Sequence, residues 1–573
     1  MSVIGRKVVV RKIAAACLAF AVIAVSAAGC SPSGKGEAVS SAQPASSEAA
    51  SQGASSQADS AAPGEYDFKS EKPVTFSLMF SDNPGYPLKN DWKLWDAIKD
   101  ATNVTLDVMV VPMASYNDKR SVLIASGDAP EIIPKTYPGQ EVPFIPSGQI
   151  LAVSDLADKM PNYSSEVKAW NLQSDVNTLL QKNGKYYVLP ELHESFNVDY
   201  SLCVRTDILK KNSIAMPESW DDVYSVLKKL KELYPDVTPF SDRWQLGALL
   251  QIAGPGFCKT NTGLKTAGAD WNSGSTFYYD KDQDQFVFYP TMEEYKTELS
   301  YFSKLVKEGL LDKESATQSD DQAKSKFENG KSFMITTNSQ EMNDLRTKMD
   351  AILGEGKYEV AKTNIPAGPA GANLVGTRLE NGIMLTKKAQ EDPNFETLLK
   401  FVDWLWYSKE GETLAKWGIE GETYTVKDGK YTLNEGYTCP AYGLNPDAKD
   451  AKDLRKDLGF GCGVFILTAG GPNELAYSMM NDEEKAFIEN VNKTRTLLPS
   501  APTILYDEDQ REAQNLLVQP VMDYVNQMSY KFILGQTDID TGWDAYVQQC
   551  KTKGSEKYTE TANSVYQESK KAQ

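Results

Sequence analysis

The sequence predicts an α/β fold, and three observations carry that prediction. Between residues 74 and 133, short apolar runs of strand character alternate with stretches whose apolar residues recur at helical spacing. Gly, Pro and capping residues punctuate the joins. About 510 residues follow a low-complexity N-terminal stretch, enough chain to bury two or more cores.

Residues 74–80 (VTFSLMF) read as a buried first strand, and residues 81–87 as a turn-rich loop. Residues 91–102 have helical spacing, with Trp92, Leu94, Trp95 and Ile98 as the apolar set. Residues 104–111 form a second strand, residues 116–126 a second helix stopped by Gly127, and Ile132 and Ile133 a third strand. Such alternation argues for a parallel sheet. Ligands of parallel sheets sit beyond the strand C-termini. Here that rim is two loops, which place Tyr86 and Tyr137 within reach of a ligand.

Further along, residues 184–190 read as a turn and a strand. Ser219 and Asp222 form a weak capping box for a helix reaching Tyr234, while Thr291 and Glu294 form a stronger one for the helix that Gly309 closes. Between them, residues 276–279 and 285–289 read as a hairpin with the acidic turn 280–284. An EF-hand loop would need Gly at its sixth position and Glu at its twelfth, where Gln285 and Thr291 stand, so the turn predicts no calcium. Residues 327–338 give a helix end, a glycine stop and a strand that delivers Asn338 to a rim. Residues 361–381 are rich in Gly and Pro and read as a crossing between lobes. Residues 395–415 are a helix or helix pair whose Trp404 and Trp406 belong to the core.

The N-terminus carries Arg6, Lys7, Arg11 and Lys12, an apolar run over residues 13–24, and the small residues Ala27, Ala28 and Gly29 before Cys30. This resembles the lipobox of bacterial lipoproteins, with Ala27 in the usual place of leucine. The resemblance implies a signal peptide over residues 1–29 and an acylated Cys30 as the first residue of the mature chain. Residues 30–70 are then the lipidated cysteine and a Ser/Ala-rich tether, too poor in large apolar groups to fold.

Composition excludes several classes. A formal net charge of −18 repels nucleic acid and anionic lipid headgroups. No further apolar run has the length of a membrane span. His193 is the single histidine, which rules out sites built on several imidazoles. Cys203, Cys258, Cys439, Cys462 and Cys550 are scattered and read as buried thiols. No nucleophile elbow, Cys/His pair or metal-hydrolase motif stands out, so no catalytic residue is assigned. A glycosidase would need two opposed carboxylates, which so acidic a chain neither identifies nor excludes.

Four segments carry a wider resemblance. They are residues 184–190 (GKYYVLP); Arg205 and Asp207 with Pro217 and Trp220; residues 327–335 (FENGKSFMI); and residues 416–424 (KWGIEGETY). Together with Trp543 and Tyr546 they resemble the family 1 extracellular solute-binding proteins of ABC importers, in their large Gram-positive lipoprotein branch. The resemblance implies a two-lobed periplasmic-binding-protein-like fold with a ligand cleft between the lobes. Residues 71–200 and 372–495 would form lobe 1, and residues 201–371 and 496–573 lobe 2. It implies a monomer without cofactor, held on the extracellular face by its lipid alone, that closes on a solute and delivers it to the transmembrane subunits of an ABC permease.

An oligosaccharide is the implied solute, with a peptide or other solute as the alternative and a glycosidase or adhesin behind it. Some large relatives bind calcium in a loop that here reads PDVTP over residues 235–239, so no metal is assigned. Sugar faces stack on aromatic rings, and sugar hydroxyls need polar partners. The ligand-binding candidates are therefore Asp82, Asn83, Tyr86, Tyr137, Asp242, Arg243, Trp244, Trp271, Asn338, Trp417 and Tyr424. Gly418 and Gly421 shape the backbone of the fourth segment.

Overall fold

Strand β1 (Val74–Asp82) is the seed of the first sheet. Its side chains alternate, Phe76, Leu78 and Phe80 entering one core and Met79 another on the opposite face. The computed structural model describes residues 64–572 except 197, 263–275 and 463–469, so Cys30, the signal segment and Trp271 lie outside the described residues. Helix α1 (Lys93–Thr102) buries Leu94, Ala97 and Ile98 and stops at the left-handed Asn103, φ 60°. It leads to β2 (Val104–Pro112), parallel to β1 along its whole length. Helix α2 (Tyr116–Ser126), closed by Gly127 at φ 77°, returns the chain to β3 (Ile132–Thr136), which is parallel to β1 on its other side.

The chain adds β4 (Leu189–Leu192) and then leaves for a second core. There β5 (Ser201–Arg205) is the middle strand of a three-stranded sheet. Helix α3 (Trp220–Leu233) opens on the capping box expected of Ser219 and Asp222, with both reciprocal bonds made, at 3.1 and 3.0 Å. Helix α4 (Gly247–Cys258) and helix α5 (Glu293–Lys307) follow. The box that looked stronger does not form. The α5 N-cap is Met292, and Thr291 donates instead to the Phe288 carbonyl at 3.0 Å within a tight turn ahead of the helix.

Strand β6 (Met334–Thr337), helix α6 (Ser339–Leu353) and strand β7 (Val360–Lys362) complete this part, β6 and β7 each pairing antiparallel with β5.

Strand β8 (Leu379–Leu385) then re-enters the first sheet, antiparallel to both β3 and β4. The expected all-parallel sheet is therefore mixed, in the order β2-β1-β3-β8-β4. Helices α7 (Phe395–Tyr407) and α8 (Lys409–Trp417) cover it, burying Trp404 and Trp406. The long helix α9 (Glu508–Ile533) and the two helices after it pack on the second core.

Core membership shows where the chain changes sides. Leu192, Leu379 and Met479 belong to the first core, whereas Val198, Leu374 and Phe487 belong to the second. Among the described residues three crossings thus join the two bodies, at residues 192–198, 374–379 and 479–487. All five cysteines past the tether are buried and unpaired. Among the described residues no helix is long and apolar enough to cross a membrane.

One buried acid makes the second core pH-sensitive. Glu298 on α5 is 0% exposed, and burial pushes its carboxyl up to about 8. The Thr262 hydroxyl has one hydrogen but two acceptors in reach, the Leu250 carbonyl at 3.0 Å and Glu298 Oε1 at 2.7 Å. A protonated Glu298 supplies the second hydrogen. The unfolded chain releases this proton near the ordinary glutamate value of 4.5, and the folded chain holds it to about 8. The contribution of Glu298 to stability is therefore full below pH 4.5 and falls as pH rises to 8. Glu298→Gln is expected to flatten this slope and to gain about 1–3 kcal/mol over the parent at pH 9, by urea unfolding at pH 5 and pH 9. Equal slopes in both proteins would clear Glu298.

Candidate ligand site

Adjacent parallel strands β1 and β3 end on the same edge of the first sheet, as the sequence requires. The loop after β1 is closed on itself. Asp82 accepts from the Leu88 amide at 2.8 Å, and Asn83 accepts from the Gly85 amide at 2.8 Å while donating to the Tyr86 hydroxyl at 3.2 Å. Asp82 and Asn83 stay half-buried at the rim. Tyr86 is turned inward, 6% exposed, with the Arg455 guanidinium 4.0 Å from its ring centre.

At the end of β3, Lys135 takes the left-handed conformation, φ 53°. Beside it the register of β8 against β3 shifts between Gly382 and Met384. This bend carries the half-buried Tyr137 to the rim. Burial first, then the charges of Glu380 and Glu191, and then Tyr200, hold the Tyr137 hydroxyl well above its usual range. Three groups therefore act on the Tyr137 hydroxyl through their charge. Tyr137 comes from the rim, Glu380 from β8, Glu191 from β4, and Tyr200 from the first crossing where it enters β5. Glu380 Oε2 lies 3.1 Å from His193 Nε2.

From Tyr200 the site continues into the second body. Its ring centre is 5.7 Å from that of Trp244, and its hydroxyl interacts with Asn338. Burial, then the charge of Asp199, pushes that hydroxyl up to about 12. Trp244, Gln245 and Leu246 have φ of 51°, 51° and 65°, three left-handed residues in succession without a glycine. Each costs roughly 1–2 kcal/mol in isolation, so the surroundings must hold the turn. Asp242 accepts from the Thr336 amide and hydroxyl at 3.0 and 2.6 Å. Arg243 pairs with Asp320 and, at 2.9 Å, with Glu341, and lies 3.7 Å from the Trp244 ring centre. The Tyr530 hydroxyl donates to the Gln245 carbonyl at 2.8 Å. The result is a half-exposed indole standing beside Tyr200.

The candidates thus divide. Trp244 and Asn338 gather around Tyr200, whose charge also reaches the rim Tyr137, and Asn338 caps α6 through the Glu341 amide at 2.9 Å. Asp242 and Arg243 are corrected to positioning roles, because at 0% and 1% exposure their side chains are buried and hold neighbouring elements, Asp242 the Thr336 strand and Arg243 the carboxylates of Asp320 and Glu341. Burial, the largest influence on it, pushes the Asp242 carboxyl up to about 6.

Trp417 and Tyr424 are corrected as well. Trp417 is 0% exposed, donates from Nε1 to Ser478 at 2.7 Å, and packs with Tyr424 and Tyr431 inside the first core. Tyr424 borders a surface groove of about 790 Å³ with Glu65, Lys409 and Tyr431. Gly418 and Gly421, at φ 87° and 79°, do shape the backbone there.

Tyr200, Glu191 and Glu380 were not among the candidates. Tyr200 did carry a sequence signal, an aromatic residue immediately before the first strand of the second body. A separate cavity of about 1030 Å³ lies along the crossings, lined by Phe196, Arg378 and Arg495 among others. Its arginines are committed to the fold, Arg378 donating to the Trp170 and Asn171 carbonyls and to Asp175, and Arg495 to Ile365 and Glu218.

Comparison with known proteins agrees with this architecture. Lipoprotein LipO of Bacillus subtilis is 24% identical over 489 residues, 83% of this chain and 88% of that protein. The polygalacturonan/rhamnogalacturonan-binding protein YtcQ of the same organism is 22% identical, covering 82% of this chain and 88% of its own. The fructooligosaccharide ABC transporter substrate-binding protein FusA of Streptococcus pneumoniae is 22% identical, covering 87% of this chain and 91% of its own. The structure of FusA in complex with kestose superposes with a TM-score of 0.61 at 19% identity, over 87% of this chain and 100% of that one. The family described as bacterial extracellular solute-binding protein matches residues 90–411. With two α/β bodies joined by three crossings and that match across more than half its length, the chain belongs to the bacterial extracellular solute-binding protein family.

Proposed function

We propose that this protein is a lipid-anchored extracellular receptor that closes its two lobes on an oligosaccharide and delivers it to an ABC permease. The observation that carries the saccharide is the aromatic pair Tyr200 and Trp244 of the second body, with Asn338 on the Tyr200 hydroxyl, together with the rim Tyr137 of the first body, whose hydroxyl feels the charges of Glu380 and Tyr200. Flat rings match the C–H faces of a pyranose or furanose, and carboxylate and amide groups match its hydroxyls. The relatives YtcQ and FusA are both named for carbohydrate ligands, which supports the same class. Closure is supported by the three crossings, since a few backbone segments between two cores are what a hinge requires. The anchor reading rests on Cys30 and on the lipoprotein name of LipO.

A thermal-shift screen of the purified protein against oligosaccharides and peptides tests the ligand class. A saccharide at a hundredfold excess over its Kd adds about 2.7 kcal/mol of stability and raises the midpoint. A shift with peptides alone would replace the substrate class and keep the receptor.

A further inference from the structure

We propose, building on the oligosaccharide reading and its use of Tyr137, that Arg120 is the positioning residue that aims Tyr137 at the sugar. The Tyr137 side chain has little of its own to hold it. Among the described residues its hydroxyl makes no hydrogen bond to the protein and its ring meets no other aromatic ring. Its direction is therefore set by the backbone of residues 135–140.

That backbone is clamped from helix α2, on which Tyr116 and Arg120 stand one turn apart on the same face. The Tyr116 hydroxyl donates to the Pro134 carbonyl at 2.7 Å. Arg120 reaches further along. One guanidinium nitrogen donates to the Lys135 carbonyl at 2.9 Å and to the Thr136 hydroxyl at 3.3 Å, and the other donates to the Gln140 side-chain oxygen at 3.0 Å. The fork thus binds both ends of the turn that carries Tyr137. Inside the turn the Gln140 amide donates back to the Tyr137 carbonyl at 2.9 Å. Lys135, whose carbonyl Arg120 holds, is the left-handed residue, and its ammonium donates to the Ser81 hydroxyl at 3.1 Å at the end of β1.

Stability alone does not account for this arginine. It is 3% exposed and its Nε is buried without a partner. Among the described residues no carboxylate forms an ion pair with it, and Glu141 acts on it only through its charge. A buried guanidinium without an ion pair is unfavourable beside an apolar side chain of similar size. What it supplies is direction, a planar fork of donors that a lysine does not reproduce.

The first test needs no ligand. The full chain, carrying one trifluoromethylphenylalanine in place of Tyr137, is read by 19F NMR. Arg120→Met and Arg120→Lys are both expected to shift and broaden the single line. Leu123→Ala removes core volume from the same helix and none of these bonds, so it is expected to lower the unfolding midpoint and leave the line in place. A line unmoved in Arg120→Met overturns the proposal, and so does a line moved as far by Leu123→Ala. The second test is titration calorimetry with fructo-, galacto-, xylo- and gluco-oligosaccharides and oligogalacturonates. Arg120→Met is expected to weaken the saccharide that binds by about tenfold in the parent and by less than about twofold in Tyr137→Ala, where nothing remains to be aimed. Equal losses in both backgrounds overturn the positioning role and leave the receptor intact. No heat with any of these saccharides overturns the oligosaccharide reading, while the 19F line still decides what Arg120 does.

Discussion

Trp220→Ala is expected to cost the second body about 3–5 kcal/mol and to move the urea midpoint accordingly. Trp220 is the first residue of α3 and 1% exposed. Its ring packs against Phe257, Tyr301 and Phe302 at centroid distances of 6.3, 5.7 and 5.6 Å. Its backbone is tied too, the amide donating to the Ala367 carbonyl and the carbonyl accepting from the Tyr301 hydroxyl at 2.6 Å. Alanine would leave a cavity that three rings held by other elements cannot close. The indole Nε1, however, is buried without a partner. Trp220→Phe keeps most of the volume and removes that donor, so its cost should stay within about 1.5 kcal/mol. Equal losses in the two variants would show that the indole edge, not the volume, carries the packing.

Trp244→Ala is expected to act in the opposite way, losing about 2–4 kcal/mol of saccharide binding with little change in the unfolding midpoint. One face of Trp244 rests on the Arg243 guanidinium at 3.7 Å and an edge meets Tyr200, so its remaining surface is what the cleft offers a ligand. The turn that displays it is held by the Asp242 hydrogen bonds, by the carboxylate pairs of Arg243 and by buried Leu246, and the substitution removes only the ring that rests on Arg243. Titration calorimetry and thermal unfolding of the same sample check both halves. A large midpoint drop with unchanged affinity would make Trp244 a packing residue and remove it from the cleft.

Local pattern carried the sequence prediction where structure is decided locally. Residues 116–126 are helical as their spacing and Gly127 require, and β1 and β2 are parallel neighbours as alternation requires. What escaped prediction depends on distant partners. Nothing near Leu379 says that its strand inserts antiparallel between β3 and β4, since those strands lie some 190 to 250 residues earlier in the chain. The two capping boxes make the same point, because Thr291 had the better pattern but a nearer acceptor in Phe288. At the site, Tyr137 could be placed from strand order alone, whereas Tyr200 required knowing where the first crossing lands. The segment 416–424 is a good mark of the family, yet Trp417 within it is packed inside the first core.

Both aromatic surfaces of the cleft are set by main chain. Tyr137 stands two residues after a left-handed lysine, and Trp244 opens a left-handed triplet. A ring aimed by its own backbone has few other places to go when the cleft is empty. The sugar therefore meets a stacking surface that already exists, and little freedom remains for it to remove there. On the closing-receptor reading proposed above, the angle between the bodies is what is left to change, so the tempo of capture and release would belong to rotation about the crossings. Two glycans that fit the same rings would then differ in how long they hold the two bodies together.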